Sequence, residues 1–505
     1  MASPNPETAE IPNHTSPALR LPPEIVKIIV DQVPNSTIKS LRLTCRFFLE
    51  TVDLRLDRVF ISANPRNVEV FTAIANHEVF RAKITEIIWD DAILYVRPMP
   101  RSEVEALYGS DDEYQDYVDE DEGRDENGID WRGDVPGWFR IGCRENIYHI
   151  KDDRECDLDR ASLVAMAQQV TEQMPMEEAW AFYQELLQQQ RDVRDSQAHI
   201  NALEKYVGFF PALKRITITA ATHEGLYNPL YETPMIRSFP RGFNYYLPLG
   251  YPPADRCQPE CDEWDEDGND WQGFRTVTRV LAEGRDCYRV MDLCIDDKKM
   301  GTMGLNSRVF EKENRTFDNF EAVLARPNFT HLQLDLIVDE HYRQAEIFCN
   351  GLLGRALAGA SGGQGLKYLS LSTDISMHMY EPGDDCDWYV PLATIFTPTR
   401  YSRLRHFGLA NFYAAQDDLL ALLASLPKTL RSVELSRIEI MDIDGSYQTL
   451  LCAIRDTLGW KERVQRPTLA IRSEFNYSRP KRTLWLKDEI YSFLYQDGSN
   501  PYGDY

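Results

Sequence analysis

The sequence predicts an α/β (α+β) fold: a small three-helix module, then an irregular helix–strand solenoid with acidic loop insertions. Three observations carry this. Residues 21–52 place apolar side chains at helical spacing between helix breakers. Six later segments repeat one pattern: an apolar residue, two variable ones, a second apolar, one variable, a third apolar. Several of these six follow a helical pattern directly, as alternating helix–strand units do.

The module comes first. Leu21-Pro22-Pro23-Glu24 opens a helix, with proline at the first helical positions and a carboxylate where the dipole favours it. Leu21, Ile25, Ile28, Ile29 and Val33 then form a predicted apolar stripe, and Pro34 ends the helix. Asn35 or Ser36 caps a second helix bearing Ile38, Leu41 and Leu43. Thr44 is expected to cap a third, with Cys45, Phe47, Phe48 and Val52. Residues 1–18, rich in Pro, Ser, Thr and Asn, read as a disordered lead-in.

This order of residues resembles the F-box, a module that docks proteins onto the Skp adaptor of cullin-type ubiquitin ligases. The matching features are Leu21-Pro22-Pro23-Glu24-Ile25, the Ile28-Ile29 pair, Val33-Pro34, and Leu41-Arg42-Leu43-Thr44-Cys45-Arg46-Phe47-Phe48. Family members often carry a tryptophan after the third helix, where this chain reads Leu54-Arg-Leu-Asp-Arg-Val-Phe60. Either Phe60 takes that place, for a module over 19–60, or the module ends earlier. The resemblance implies adaptor contacts from Leu21, Pro22, Pro23, Glu24, Ile25, Ile28, Ile29, Val33, Leu41, Leu43, Cys45 and Phe48. The plain alternative is a three-helix cap whose apolar residues fill its own core.

The recurring pattern occurs at Ile84-Thr-Glu-Ile87-Ile-Trp89, Leu213-Lys-Arg-Ile216-Thr-Ile218 and Phe329-Thr-His-Leu332-Gln-Leu334. It returns at Leu366-Lys-Tyr-Leu369-Ser-Leu371, Leu404-Arg-His-Phe407-Gly-Leu409 and Leu430-Arg-Ser-Val433-Glu-Leu435. Helical patterns over Asn67–Phe80, Ile200–Phe210 and Leu419–Leu426 precede three of them. A helix feeding a short L-x-x-L-x-L strand is similar to the leucine-rich repeat, whose units stack into a solenoid and whose usual period is roughly 20–29 residues. The last four copies are spaced 37, 38 and 26 residues apart, and the asparagine of well-formed repeats is mostly missing. An ordinary α/β domain is the alternative. The repeat-like domain is placed at 61–480 and a C-terminal helix and tail at 481–505, the helix over Trp485–Leu494.

The first three copies lie 129 and 116 residues apart, which predicts insertions at about 93–160 and 222–328. Within them, Leu163–Val170 and Met176–Ala198 read as a helical hairpin packed on the repeats. Each insertion also holds an acidic, tryptophan-marked loop. Residues 111–134 carry twelve carboxylates against two arginines, and residues 260–270 carry seven and no base. The chain's net charge is −25, a surface that repels phosphates and anionic membranes, so neither nucleic acid nor membrane is an expected partner. The N-terminus has no basic n-region or apolar h-region of a secretory signal. Ten scattered cysteines are then reduced thiols, and the expected place is cytosol or nucleus.

Metal and catalytic motifs fail on their ligands. With Gly268 at position six of a calcium loop, position twelve is Phe274, where a bidentate glutamate is required. Cys257 and Cys261 form half a zinc site without a second pair, and Cys287 and Cys294 are single thiols. No G-x-S-x-G elbow or phosphate-cradling glycine loop occurs, and the Ser361 glycine run lacks the lysine. The expectation is a non-enzyme with no cofactor, metal or catalytic residue. As the resemblance implies, it is a substrate-recognition subunit of an SCF-type ligase that binds a Skp-type adaptor and, through it, the cullin–RING ligase. A scaffold using the same docking without ubiquitylation is the alternative. Leucine-rich strands would present Thr217, Thr219, Gln333, Asp335, Ser370, Ser372, Glu434 and Ser436 to a protein substrate, a basic one given the acidic loops.

Overall fold

The computed structural model describes residues 21–94, 135–156, 161–248, 264–284, 289–296, 304–338, 345–359, 365–374, 391–397, 401–442, 445–473 and 484–503, apart from positions 31, 34, 53, 55, 266, 267 and 269. They form two compact units, residues 1–57 and 58–505.

The first unit holds α1 (Pro23–Val30), α2 (Asn35–Thr44) and α3 (Arg46–Thr51). Pro23 is the first residue of α1, and the Pro22 carbonyl accepts the N–H groups of Ile25 and Val26. The core is small: Val26, Val30, Ile38 and Val52, with Leu21, Val33, Leu41, Phe47, Phe48 and Leu54 packed around it. Two expectations need correction. Thr44 does not cap α3; it ends α2, and its hydroxyl donates back to the Leu41 carbonyl at 2.7 Å. Cys45 takes the cap position in extended conformation, with no side-chain bond to the helix. The boundary falls at Asp57, and Phe60 is a strand residue of the second unit rather than part of the helical module.

The second unit is built on an eleven-stranded sheet. Its strands are β1 (Arg58–Ser62), β2 (Glu86–Asp90), β3 (Arg215–Thr219), β4 (Asp292–Ile295), β5 (Leu305–Asn306), β6 (His331–Ile337), β7 (Tyr368–Ser372), β8 (His406–Ala414), β9 (Ser432–Ile440), β10 (Thr468–Ser473) and β11 (Leu484–Leu486). The order is sequential, β1-β2-β3-β4-β6-β7-β8-β9-β10-β11, with β5 beside β6. Every pairing is parallel until β11, which closes the edge antiparallel to β10. All six recurrences of the sequence pattern are strands. Their second and third apolar residues stack in register across the sheet: Ile87, Ile216, Leu332, Leu369, Phe407 and Val433 in one row, then Trp89, Ile218, Leu334, Leu371, Leu409 and Leu435. All are buried.

The insertion expected at 222–328 is not a single excursion, because β4 lies inside it and joins the sheet between β3 and β6. Val290-Met-Asp-Leu293-Cys-Ile295 carries the same apolar pattern, as does Leu56-Asp-Arg-Val59-Phe-Ile61 at β1.

Helices connect the strands: α4 (Pro65–Asn76), α5 (Glu78–Arg81), α6 (Gly137–Cys156), α7 (Ala161–Val170), α8 (Met176–Asp195), α9 (Ala198–Tyr206), α10 (Gln272–Glu283), α11 (Arg315–Leu324), α12 (Ala345–Cys349), α13 (Leu352–Gly359), α14 (Leu392–Ile395), α15 (Gln416–Ser425), α16 (Tyr447–Thr457) and α17 (Asp488–Tyr495). Each later helix buries one stripe at three- and four-residue spacing. Phe274, Val277 and Leu281 do so on α10, Phe317, Phe320 and Leu324 on α11, and Leu450, Leu451 and Ile454 on α16. Successive helices from α10 through α11, α13, α14, α15 and α16 to α17 pack on one another. Crossovers of one hand between sequential parallel strands of one sheet place successive helices on the same face.

The expected helical hairpin is a larger body. Phe139, Cys143 and Ile150 of α6, Leu163 and Met166 of α7, and Tyr183, Leu186 and Leu187 of α8 form one cluster with Phe243, Tyr245 and Leu247. The C-terminal helix starts later than expected: Trp485 is in β11, and α17 begins at Asp488.

Candidate partner-binding surfaces

The helical module has more apolar side chains than its core can take. α1 carries Ile25, Val26, Ile28, Ile29 and Val30 in eight residues, and only Val26 and Val30 turn inward. The predicted single stripe therefore splits. Leu21 and Val33 pack against the core, while Ile25, Ile28 and Ile29 stand 42%, 61% and 48% exposed. Leu43 on α2 and Leu49 on α3 are exposed too. Of the twelve residues expected at the adaptor, Pro22, Pro23, Glu24, Ile25, Ile28, Ile29 and Leu43 are exposed. Leu21, Val33, Leu41, Cys45 and Phe48 are half-buried, and all but Cys45 pack on the module's core. Branched aliphatics left in water on so small a unit cost solvation that only a covering surface recovers.

The second surface is the sheet face away from the buried Leu and Ile rows. Period-two alternation puts all eight substrate-face residues here, as expected from the strand pattern. Depth divides them. Thr217, Thr219, Asp335, Ser372 and Ser436 are buried, Gln333 and Ser370 are half-buried, and Glu434 is exposed. Thr219 and Ser372 are the last residues of their strands, where the chain turns and its N–H groups need acceptors. Thr219 Oγ1 accepts the Ala221 N–H at 3.0 Å; one residue past Ser372 and Thr373, Asp374 accepts that of Val338 at 2.7 Å.

The strands' first residues form a ladder that the motif reading missed, although they lie on the same face. Arg58 pairs with Glu86 at 3.6 Å, and Glu86 accepts the Thr217 hydroxyl at 2.7 Å. Arg215 pairs with Asp292 at 3.6 Å, and Asp292 with His331 at 2.8 Å. The His331, Tyr368 and His406 rings then stack, the last two 4.2 Å apart and within 8° of parallel, and His406 Nδ1 meets the Ser432 hydroxyl at 2.8 Å. Burial lowers the His406 pKa against the pull of Glu434, and pushes the Tyr368 phenol up to about 12. Gly408 keeps the middle row low, since a Cβ there would lie 2.7 Å from Ser370 Oγ. The result is a strip of half-buried Gln333 and Ser370 beside three mutually stacked rings, with the Glu434 carboxylate in solvent.

At the β2–β3 end a buried polar cluster serves the backbone. Both Asp91 oxygens accept the Gly273 N–H at 3.1 Å at the start of α10, and Oδ1 also accepts Trp89 Nε1 at 2.9 Å. Gly273 is required there: a Cβ would sit 2.4 Å from Trp89 Cδ1. Burial raises Asp90 to about 7, opposed by Thr222 and the Ala92 N–H and reinforced by Asp91. Burial lowers His223 to about 3, and its Nδ1 lies 2.6 Å from the Tyr245 hydroxyl.

The described part of the second acidic loop folds on a base just beyond it. Arg275 stacks over Trp264 at 4.1 Å and donates to the Asp270 and Asp265 carbonyls. Residues 111–134, Cys257, Cys261, Cys287 and Ser361 lie outside the described residues; Cys294 is buried in β4. Among the described residues, no group of three or more His, Cys, Asp or Glu is placed to hold a metal, and no helix is long and apolar enough to cross a membrane. No protein-family model matches the chain, and no curated protein matches it significantly.

Proposed function

We propose that this chain is a substrate-recognition subunit of an SCF-type cullin–RING ubiquitin ligase. The observation that carries the reading is Leu21-Pro22-Pro23-Glu24-Ile25 opening a helical unit that leaves Ile25, Ile28, Ile29 and Leu43 in solvent. On this reading those side chains are the anchors that a Skp-type adaptor buries, and a few such anchors dominate binding. The sequential parallel strands and their one-sided helix row support reading residues 58–505 as an irregular leucine-rich-repeat-like solenoid. Its open face, around Gln333, Ser370 and Glu434, holds the protein substrate. The protein makes and breaks no bond itself. It raises the local concentration of a substrate lysine at the ubiquitin thioester. Affinity purification of the full chain tests this. Recovery of adaptor and cullin together supports the ligase; adaptor without cullin supports a non-ubiquitylating scaffold; neither removes the proposal.

A further inference from the structure

The strands of the second unit enter the sheet through short turns, and over β7 to β10 those turns are basic. Residues 365–367, 401–405, 427–431 and 463–467 hold seven Lys or Arg and no Asp or Glu, in a chain of net charge −25.

The turns are fixed against one another. The Arg405 N–H donates to the Lys367 carbonyl at 2.8 Å, and the Arg431 N–H to the Arg405 carbonyl at 2.7 Å. Lys367, Arg405 and Arg431 therefore form one row on adjacent strands, about 4.8 Å apart at the backbone. The Thr429 hydroxyl donates to the Leu404 carbonyl at 2.8 Å, and Arg463 to the Pro427 carbonyl at 3.3 Å. These bonds bring Arg403, Lys428 and the 463–467 turn to the same rim.

Two of the seven are engaged: Arg463 and Arg466 each lie over a ring and donate to a carbonyl. The other five have no ion pair and no side-chain hydrogen bond among the described residues. Arg403, Arg405, Lys428 and Arg431 are exposed, and Lys367 is half-buried. Like charges on neighbouring strands repel. Where β1 to β4 begin, each arginine has its counter-charge on the next strand, Arg58 with Glu86 and Arg215 with Asp292. The row over β7 to β9 has none among the described residues.

The surroundings favour a protein segment over nucleic acid. Single-strand binders interleave cations with open aromatic faces. Here Tyr401 is buried, and the Tyr368 ring is stacked between His331 and His406. Val464, on the last of the four turns, instead offers a fully exposed apolar side chain beside the charges. A long phosphate backbone running past the rim would also meet the field of an acidic chain, which a short acidic run avoids.

We propose that this rim docks an acidic segment of a partner protein, its carboxylates paired with Lys367, Arg403, Arg405, Lys428 and Arg431. Arginine forks suit carboxylates because two parallel N–H groups meet two oxygens. The surface belongs to the second unit and does not rest on the adaptor reading. It lies three residues, roughly 10 Å, from Glu434 along β9.

Fluorescence anisotropy of a labelled hexaglutamate peptide titrated with the full chain at about 50 mM salt tests it. Hexaglutamate should bind and hexaglutamine should not. Arg403→Gln, Arg405→Gln, Lys428→Gln and Arg431→Gln together should weaken binding at least about tenfold. A charge-matched control, Lys39→Gln, Lys151→Gln, Lys312→Gln and Lys487→Gln, should change it less than about twofold, since these exposed lysines lie off the rim. On the unmodified chain, salt raised to about 500 mM should weaken binding several-fold. The proposal is overturned if hexaglutamate does not bind the unmodified chain at millimolar concentration, or binds it indifferently to salt. It is also overturned if the rim variant binds as before, or if the control variant loses as much. A hexathymidylate strand that binds more tightly than hexaglutamate would overturn it too, by making the rim a nucleic-acid surface.

Discussion

Asp90 and His223 should give the second unit two opposing pH dependences that single substitutions separate. Asp90 rises from 3.8 to about 7 on folding. Between those values the unfolded chain has lost this proton while the folded chain keeps it. Stability from this group therefore falls as pH rises from about 4 to 7 and is level above. His223 drops from 6.5 to about 3. In that window the unfolded chain binds the extra proton, so stability from His223 rises with pH up to about 6.5. Each shift is worth roughly 4 kcal/mol at full extent, so in the unmodified protein the two slopes largely cancel. The assay is the urea midpoint by tryptophan fluorescence at pH 4 to 8, read as variant minus unmodified protein so that other groups drop out. Asp90→Asn should match the unmodified protein near pH 4 and gain up to about 4 kcal/mol by pH 7, then stay level. For His223→Gln the difference should run the other way, greatest near pH 4 and flat above 6.5. A difference independent of pH for either variant would show that the group is not held in its neutral form, and would refute the reasoning.

Three further outcomes follow from the packing. Gly273→Ala should cost about 1–3 kcal/mol, because its Cβ would meet Trp89 Cδ1 at 2.4 Å; an unchanged thermal midpoint would refute the close approach. Val30→Ala should remove amide exchange protection across 23–52, whereas Leu43→Ala should leave it intact, since Val30 is in the core and Leu43 is 88% exposed. Glu434→Gln should weaken binding of a Lys/Arg-rich peptide to the open face, and added salt should do the same; indifference to both would remove the basic-substrate reading.

The strands were legible because alternation is written into six short segments, and it holds through the sheet in register. The ones not read failed for particular reasons. The pattern at Leu56 to Ile61 overlaps the end of the helical module, so the sequence leaves Phe60 open between module and strand, and the structure gives it to the strand. β4 carries the full pattern from Val290 but sits in a stretch taken for an insertion. β10 follows Pro467 and keeps only Leu469 and Ile471 of its three apolar positions. α6 mixes Phe139, Ile147 and Ile150 with charges on every side, a weak stripe that tertiary packing completes.

The candidate surfaces were legible in face but not in depth. Period two places Thr217 and Ser372 on the face opposite the buried rows, yet whether they meet water depends on the turns beyond the strands. In α1 the ambiguity was local: five branched aliphatics in eight residues fit either face of a helix, and the small core selected Val26 and Val30. The ladder through His331, Tyr368 and His406 joins residues 37 and 38 apart, and only the register brings them together.

The central claim is that the outward side of α1 is a docking surface and not part of the module's own core. The direct measurement is the affinity of a Skp-type adaptor for the full chain carrying Ile25→Ala, Ile28→Ala and Ile29→Ala together, alongside amide exchange over 23–52. Each truncation removes about 1 kcal/mol of apolar burial, so binding should weaken by roughly a hundredfold with protection unchanged. Adaptor binding that survives intact in this variant, with the helices still protected, would contradict the claim.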